Sequence, residues 1–206
     1  MFALIENQQI TKFYNSNKGV IIGDNQYPKS IFTLWSEAQR NAIGIFEVTV
    51  DTTNKKNEEW YINTNVSYGV ESNKAVGSYG IATPKAHADT LWTEQDKTDG
   101  LIPDDKDVGD VKTEGLKTRL IRKIKQQAAG ELQKTDWYIV RKADAGTAVP
   151  SAITTHRAAV RTKAAEMETA ITNASDTPAL ETLYTYTTND AGIKSRPLGE
   201  LPILES

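Results

Sequence analysis

Four aspartates fall within the seven residues Asp104-Asp105-Lys106-Asp107-Val108-Gly109-Asp110. Closely spaced carboxylates are what a calcium ion takes as ligands, so this stretch is the first to test for chemistry. An EF-hand loop needs oxygen ligands at positions 1, 3 and 5, glycine at 6 and glutamate at 12. Counted from Asp105, position 5 is Gly109 and position 6 is Asp110, so the pattern fails. The stretch reads as a solvated acidic loop. His87 and His156 are the only two histidines and lie in different segments, a poor basis for a metal site. His156 falls beside the apolar stripe of a helix, where a structural role is the expectation. No Gly-x-Ser-x-Gly elbow, phosphate-cradling loop or dinucleotide fingerprint occurs. The chain has no cysteine, which excludes a thiol nucleophile, a thiolate metal site and an internal disulfide. We therefore expect no enzyme and no cofactor.

The remaining candidates suit recognition. Arg119, Arg122, Lys123 and Lys125 crowd one helix, and such a cluster can meet phosphates. It can equally be a solvated face, a partner for acidic residues of the same chain, or a docking surface for an acidic protein. A net charge of −3 and a pI near 5.5 argue against a dedicated nucleic-acid binder. Of the tryptophans at 35, 60, 92 and 137, Trp137 is expected to anchor a helical hairpin. Trp92, in a stretch poor in core residues, is expected to insert into a partner. The partner-binding set is thus Trp92, Arg119, Arg122, Lys123 and Trp137.

The elements that must position these residues centre on a stretch from Val111 to Asn173. Leu116, Leu120, Ile121, Ile124, Ala128 and Leu132 recur at three- and four-residue steps, one apolar stripe of a helix. Leu132 to Asp136 ends it. Trp137-Tyr138-Ile139-Val140 is aromatic and β-branched, and reads as a short strand. Ala145-Gly146-Thr147 reads as a turn and Pro150-Ser151 as the entry to a second helix, with Ile153, Val160, Ala164, Met167 and Ile171 on one face. Neither stripe can be buried alone, so an αα-hairpin with an extended connector is expected.

Before this hairpin the chain is β-like. Phe2–Ile5 and Ile10–Tyr14 suggest a hairpin, Val20–Ile22 a brief strand, and Ser36-Glu37-Ala38-Gln39 a capping box opening a short helix. Ile45–Val50 is a strand. Trp60, Ile62, Val66, Tyr68 and Val70 alternate with polar residues, and a strand over Lys74–Ala82 carries Gly77 and Gly80, suggesting a bulge or an edge. Residues 83–110 hold eight acidic residues against three lysines, and 111–134 seven basic against two acidic. This reversal predicts a linker or extended arm and a boundary near 83–110. Asp176-Thr177-Pro178 reads as a cap with proline at the first helical position, opening a third helix over Ala179–Tyr186. The remainder, with Gly192, Pro197, Gly199 and Pro202, is expected to be irregular. The start, Met1 to Glu6, lacks a basic region and meets a charge after five residues, so no signal peptide is expected, and no apolar run approaches a membrane span.

Three C-terminal runs are Thr135-Asp136-Trp137-Tyr138-Ile139-Val140-Arg141-Lys142, Gly146-Thr147-Ala148-Val149-Pro150 and His156-Arg157-Ala158-Ala159-Val160-Arg161. In that order they resemble the C-terminal region of bacteriophage tail-fibre assembly proteins and related tail proteins. Phe2 to Asn7 and Ala42 to Val48 are similar to N-terminal segments of the same group. The resemblance covers roughly residues 1–50 and 111–185. It implies a non-enzymatic protein that binds a phage tail fibre or another tail or baseplate protein, in multiple copies per particle, made in the host cytoplasm and retained in the virion. A fibre-assembly chaperone released before maturation and a small nucleic-acid-binding regulator are the alternatives. No catalytic residues come with the resemblance.

The expected architecture is α+β: a β-rich N-terminal domain over 1–82, an acidic linker or arm over 83–110, a helical hairpin domain over 111–186 and an irregular tail over 187–206.

Overall fold

The computed structural model describes residues 1–204 and divides the chain into two compact units, Met1–Thr83 and Pro84–Ser206. The architecture is α+β, with a curled sheet in the first unit and packed helices in the second. Among the described residues, no helix is long and apolar enough to cross a membrane.

The first unit opens on the hairpin β1 (Phe2–Glu6) and β2 (Gln9–Tyr14). Asn7 and Gln8 both have positive φ, the two-residue turn whose twist matches that of antiparallel strands. A second small hairpin, β3 (Val20–Ile22) and β4 (Asn25–Tyr27), leads to α1 (Ile31–Leu34) and α2 (Glu37–Asn41). The capping box at α2 forms as expected, with Gln39 N–H donating to Ser36 Oγ and the Gln39 side chain accepting from Ser36 N–H. Then come β5 (Ile45–Asp51), the short β6 (Tyr61–Ile62), β7 (Val66–Glu71) and β8 (Lys74–Tyr79). The five-stranded sheet runs β2-β1-β5-β8-β7, parallel only between β5 and β8. Phe2, Leu4 and Ile45 pack one face against Val20, Ile31 and Phe32 to form the core. The other face curls far enough for Phe13 on β2 to meet Tyr68 on β7, rings 5.0 Å apart.

Gly77 is neither a bulge nor an edge residue. It sits on β8, between β5 and β7, paired opposite Tyr68. A Cβ there would lie 2.8 Å from Tyr68 Cε1 and Val66 Cγ1. The glycine makes room for side chains inside the curl.

The second unit begins in the acidic stretch, and the extended arm expected there is instead folded. After β9 (Thr83–Pro84), β10 (Thr90–Leu91) pairs with β11 (Val111–Thr113) around a short helix α3 (Glu94–Thr98). Thr93 and Asp96 form a second capping box at α3. The Lys112 ammonium, 2.5 Å from Asp96, does most to hold the Asp96 carboxyl down at about 2, from 3.8, with Thr93 adding its hydrogen bonds.

Residues 86–89 bind the start of α4 (Leu116–Gln133). Leu116 N–H donates to Ala86 C=O at 2.9 Å and Lys117 N–H to His87 C=O at 3.0 Å. Gly115 N–H and Thr118 Oγ1–H donate to the Asp89 carboxylate at 2.6 and 2.8 Å. A helix start leaves its first N–H groups without intrahelical partners, and this strap supplies three acceptors from about 26–30 residues upstream. Those bonds, Gly115 N–H first, hold the Asp89 carboxyl below its usual range. Gly115 is required by contact: a Cβ would lie 2.3 Å from the Ala88 carbonyl carbon and oxygen. Hydrogen bonds that cross so much sequence leave no local pattern, so composition alone suggested an arm.

α4 and α6 (Ser151–Asn173) pack antiparallel. Lys117 Nζ at the start of α4 donates to Thr172 C=O at the end of α6, and Arg157 near the start of α6 reaches Leu132 C=O at the end of α4. Of the expected α4 stripe, Leu116, Leu120, Ile124 and Ala128 are buried and Ile121 and Leu132 half-buried; on α6, Ile153, Val160, Ala164, Met167 and Ile171 are all buried.

Between them lies α5 (Asp136–Ala145), a helix where a strand was expected over Trp137–Val140. It has no strand to pair with, so its backbone groups are satisfied only by local helical bonds. Asp136 in its first turn, Lys142 in its last and Gly146 at φ +68 beyond it are helix-end signals that outweigh the β-branched pair. α7 (Thr177–Tyr184) starts at the expected cap, Asp176 accepting from Ala179 N–H. The tail is not wholly irregular: β12 (Thr187–Thr188) pairs with β13 (Lys194–Ser195), and Leu198 is buried at 2% exposure.

Candidate functional site

The site is the outward face of α5 and the clamp that holds it. Thr135, 1% exposed, ends α4 by donating its hydroxyl to Leu132 C=O at 3.0 Å. Arg157, itself buried, places Nη1 2.7 Å from Leu132 C=O, 2.7 Å from Thr135 Oγ1 and 2.8 Å from Asp136 Oδ1. One guanidinium thus caps the carbonyl end of α4, where a cation is favoured, and fixes the first residue of α5.

From that fixed start α5 runs without a buried residue. Trp137 is 52% exposed, Ile139 42% and Val140 65%. The Trp137 and Tyr138 rings lie 3.8 Å apart, with the Arg141 guanidinium 4.7 Å from one ring centroid and 5.4 Å from the other. Ring stacking and the cation–π contacts pre-order these side chains. The hydrogen bond from Gly146 N–H to Lys142 C=O closes the far end. Trp, Tyr and Arg, ordered and beside exposed aliphatics, are the residue types that dominate protein interfaces.

Of the five residues singled out by sequence, Trp137 belongs to this site, but not as the anchor of the hairpin: half its surface is open, and buried aliphatics of α4 and α6 do the anchoring. Trp92 sits in the β10–β11 ribbon. It is half-buried, with Lys112 Nζ 4.5 Å from its ring centroid, and its backbone bonds to Asp110 and Gly109 across the ribbon. Arg119, Arg122 and Lys123 lie on α4, away from the α5 helix in sequence. Arg122 pairs with Glu114, whose carboxylate raises the guanidinium pKa further. Lys125 lies 3.5 Å from Glu168. Arg119 and Lys123 are exposed and make no ion pair among the described residues.

Sequence reasoning missed Ile139 and Val140 as surface groups, because an apolar run of four reads as buried. The helix-end signals around it could have found them. The four-aspartate stretch is a turn in which Asp107 N–H donates to Asp110 Oδ2 at 2.9 Å. Among the described residues, no group of three or more His, Asp or Glu is placed to hold a metal ion.

Compared with protein-family models, curated proteins and solved structures, the chain matches none.

Proposed function

We propose that this chain is a non-enzymatic bacteriophage tail protein that stays in the particle, linking tail fibres to the tail or baseplate, with α5 as its docking helix. The observation that carries this reading is the open pair Trp137 and Val140, one turn apart on a helix clamped at its first residue by Arg157, with Ile139 exposed beside Val140. The runs that resemble tail-fibre assembly and tail proteins, 135–142, 146–150 and 156–161, coincide with α5, its exit and that clamp. A preordered apolar face loses little side-chain freedom on docking, so burial contributes more of its free energy to binding.

A chaperone released before maturation would use the same face transiently. The nucleic-acid reading is less favoured, because Arg122 and Lys125 already face carboxylates of their own unit. Quantitative mass spectrometry of purified particles tests the proposal. Several copies per virion, in fixed ratio to the fibre or baseplate proteins, is the expected result. Absence from particles, with presence in infected-cell lysate, would remove the structural role and leave the chaperone.

A further inference from the structure

The second unit is strongly charge-separated. Residues 89–114 carry nine acidic residues against three lysines, a net −6; residues 115–163 carry eleven basic against three acidic, a net +8. Folding neutralises only part of this. Asp96 takes Lys112, Glu114 takes Arg122 and Glu168 takes Lys125. At the turn of the ribbon, Asp99, Asp104, Asp105 and Asp107 are exposed and have no cationic partner among the described residues. On α4, Arg119 and Lys123 stand four residues apart on one exposed face, likewise without an anionic partner. The ribbon cannot swing freely to meet them. Its two strands are paired, and the Ala86–Asp89 strap fixes it to the first turn of α4.

We infer that the outward face of α4, at Arg119 and Lys123, docks a second copy of this chain through that copy's acidic ribbon turn. The two surfaces are complementary in sign, lie on one compact unit, and are both left unmatched among its described residues. Two different patches of one chain meeting in this way make a heterologous contact, which continues into a ring or a row rather than stopping at a two-fold dimer. Exposed ion pairs are individually weak, so the contact draws on several charges at once and is sensitive to salt. The inference does not depend on what covers α5.

Sedimentation velocity on the full chain tests it. At about 20 mM NaCl the average mass rises above 22.7 kDa with protein concentration, and at about 500 mM NaCl the association weakens at least about tenfold. Arg119→Glu with Lys123→Glu abolishes association at low salt, and so does Asp104→Lys with Asp105→Lys. Mixing the two double variants restores it, because each supplies the charge that the other lost. All four positions are exposed, and circular dichroism checks that each variant folds. A wild-type chain that stays monomeric at low salt overturns the inference. So does association that survives both charge reversals, or a mixture that fails to reassociate.

Discussion

α5 and α6 are consecutive helices with opposite surroundings. α6 buries Ile153, Val160, Ala164, Met167 and Ile171, while α5 buries nothing and exposes Trp137, Ile139 and Val140. Both are helical for local reasons, but only α6 is held by the apolar face it presents. α5 is held at its ends, by Arg157 and by the Gly146 cap. Apolar content therefore does not sort core from surface here. α6 buries its stripe against α4, whereas in α5 only Tyr138 and Arg141 are half-buried.

The comparison makes graded predictions. Ile124→Ala, which hollows the α4–α6 contact where Ile124 is 1% exposed, should destabilise the second unit by about 2–5 kcal/mol. Chemical denaturation measures it; a cost near zero would mean the two stripes do not form the core.

Gly115→Ala tests the strap. Its Cβ would meet the Ala88 carbonyl, backbone that cannot rotate away, and a loss of about 1–3 kcal/mol is expected. Thermal melting would detect it. No change would mean that the strap is not packed on α4.

Asp89→Ala removes the acceptor for Gly115 N–H and the Thr118 hydroxyl, for a loss of about 1 kcal/mol, the scale of a helix cap. The pH dependence carries a sign. Asp89 and Asp96 both have folded-state values below the unfolded one, so their stabilisation is complete above about 4. It is lost as pH falls, for Asp96 through about 2. Acid titration of the wild type should show this loss, and Asp89→Ala should flatten it. An unchanged acid limb would remove Asp89 as a cap.

Trp137→Ser should change stability least, by about 0.5 kcal/mol or less, as at an exposed site. A loss like that of Ile124→Ala would make Trp137 an anchor after all.

The same contrast explains what could be read from sequence. Leu116, Leu120, Ile124 and Ala128 repeat at helical spacing, so α4 was legible, as were the Ser36–Gln39 capping box and the Asp176 cap. α5 was misread because Ile139 and Val140 favour strands only when a neighbouring strand exists to pair with them. The strap was illegible because Asp89 caps a helix 26 residues away. In the candidate site, Trp137 could be chosen by type, but its exposure depends on which neighbours reach it, and no local pattern encodes that.

The most direct test of α5 as a docking helix is Trp137→Ser with Val140→Ser in the phage, scored by copies per purified particle beside the unfolding curve of the isolated protein. The account predicts an unfolding curve within about 1 kcal/mol of wild type, with the protein lost from particles. Normal incorporation of the double variant, or a collapse of its fold, would contradict it.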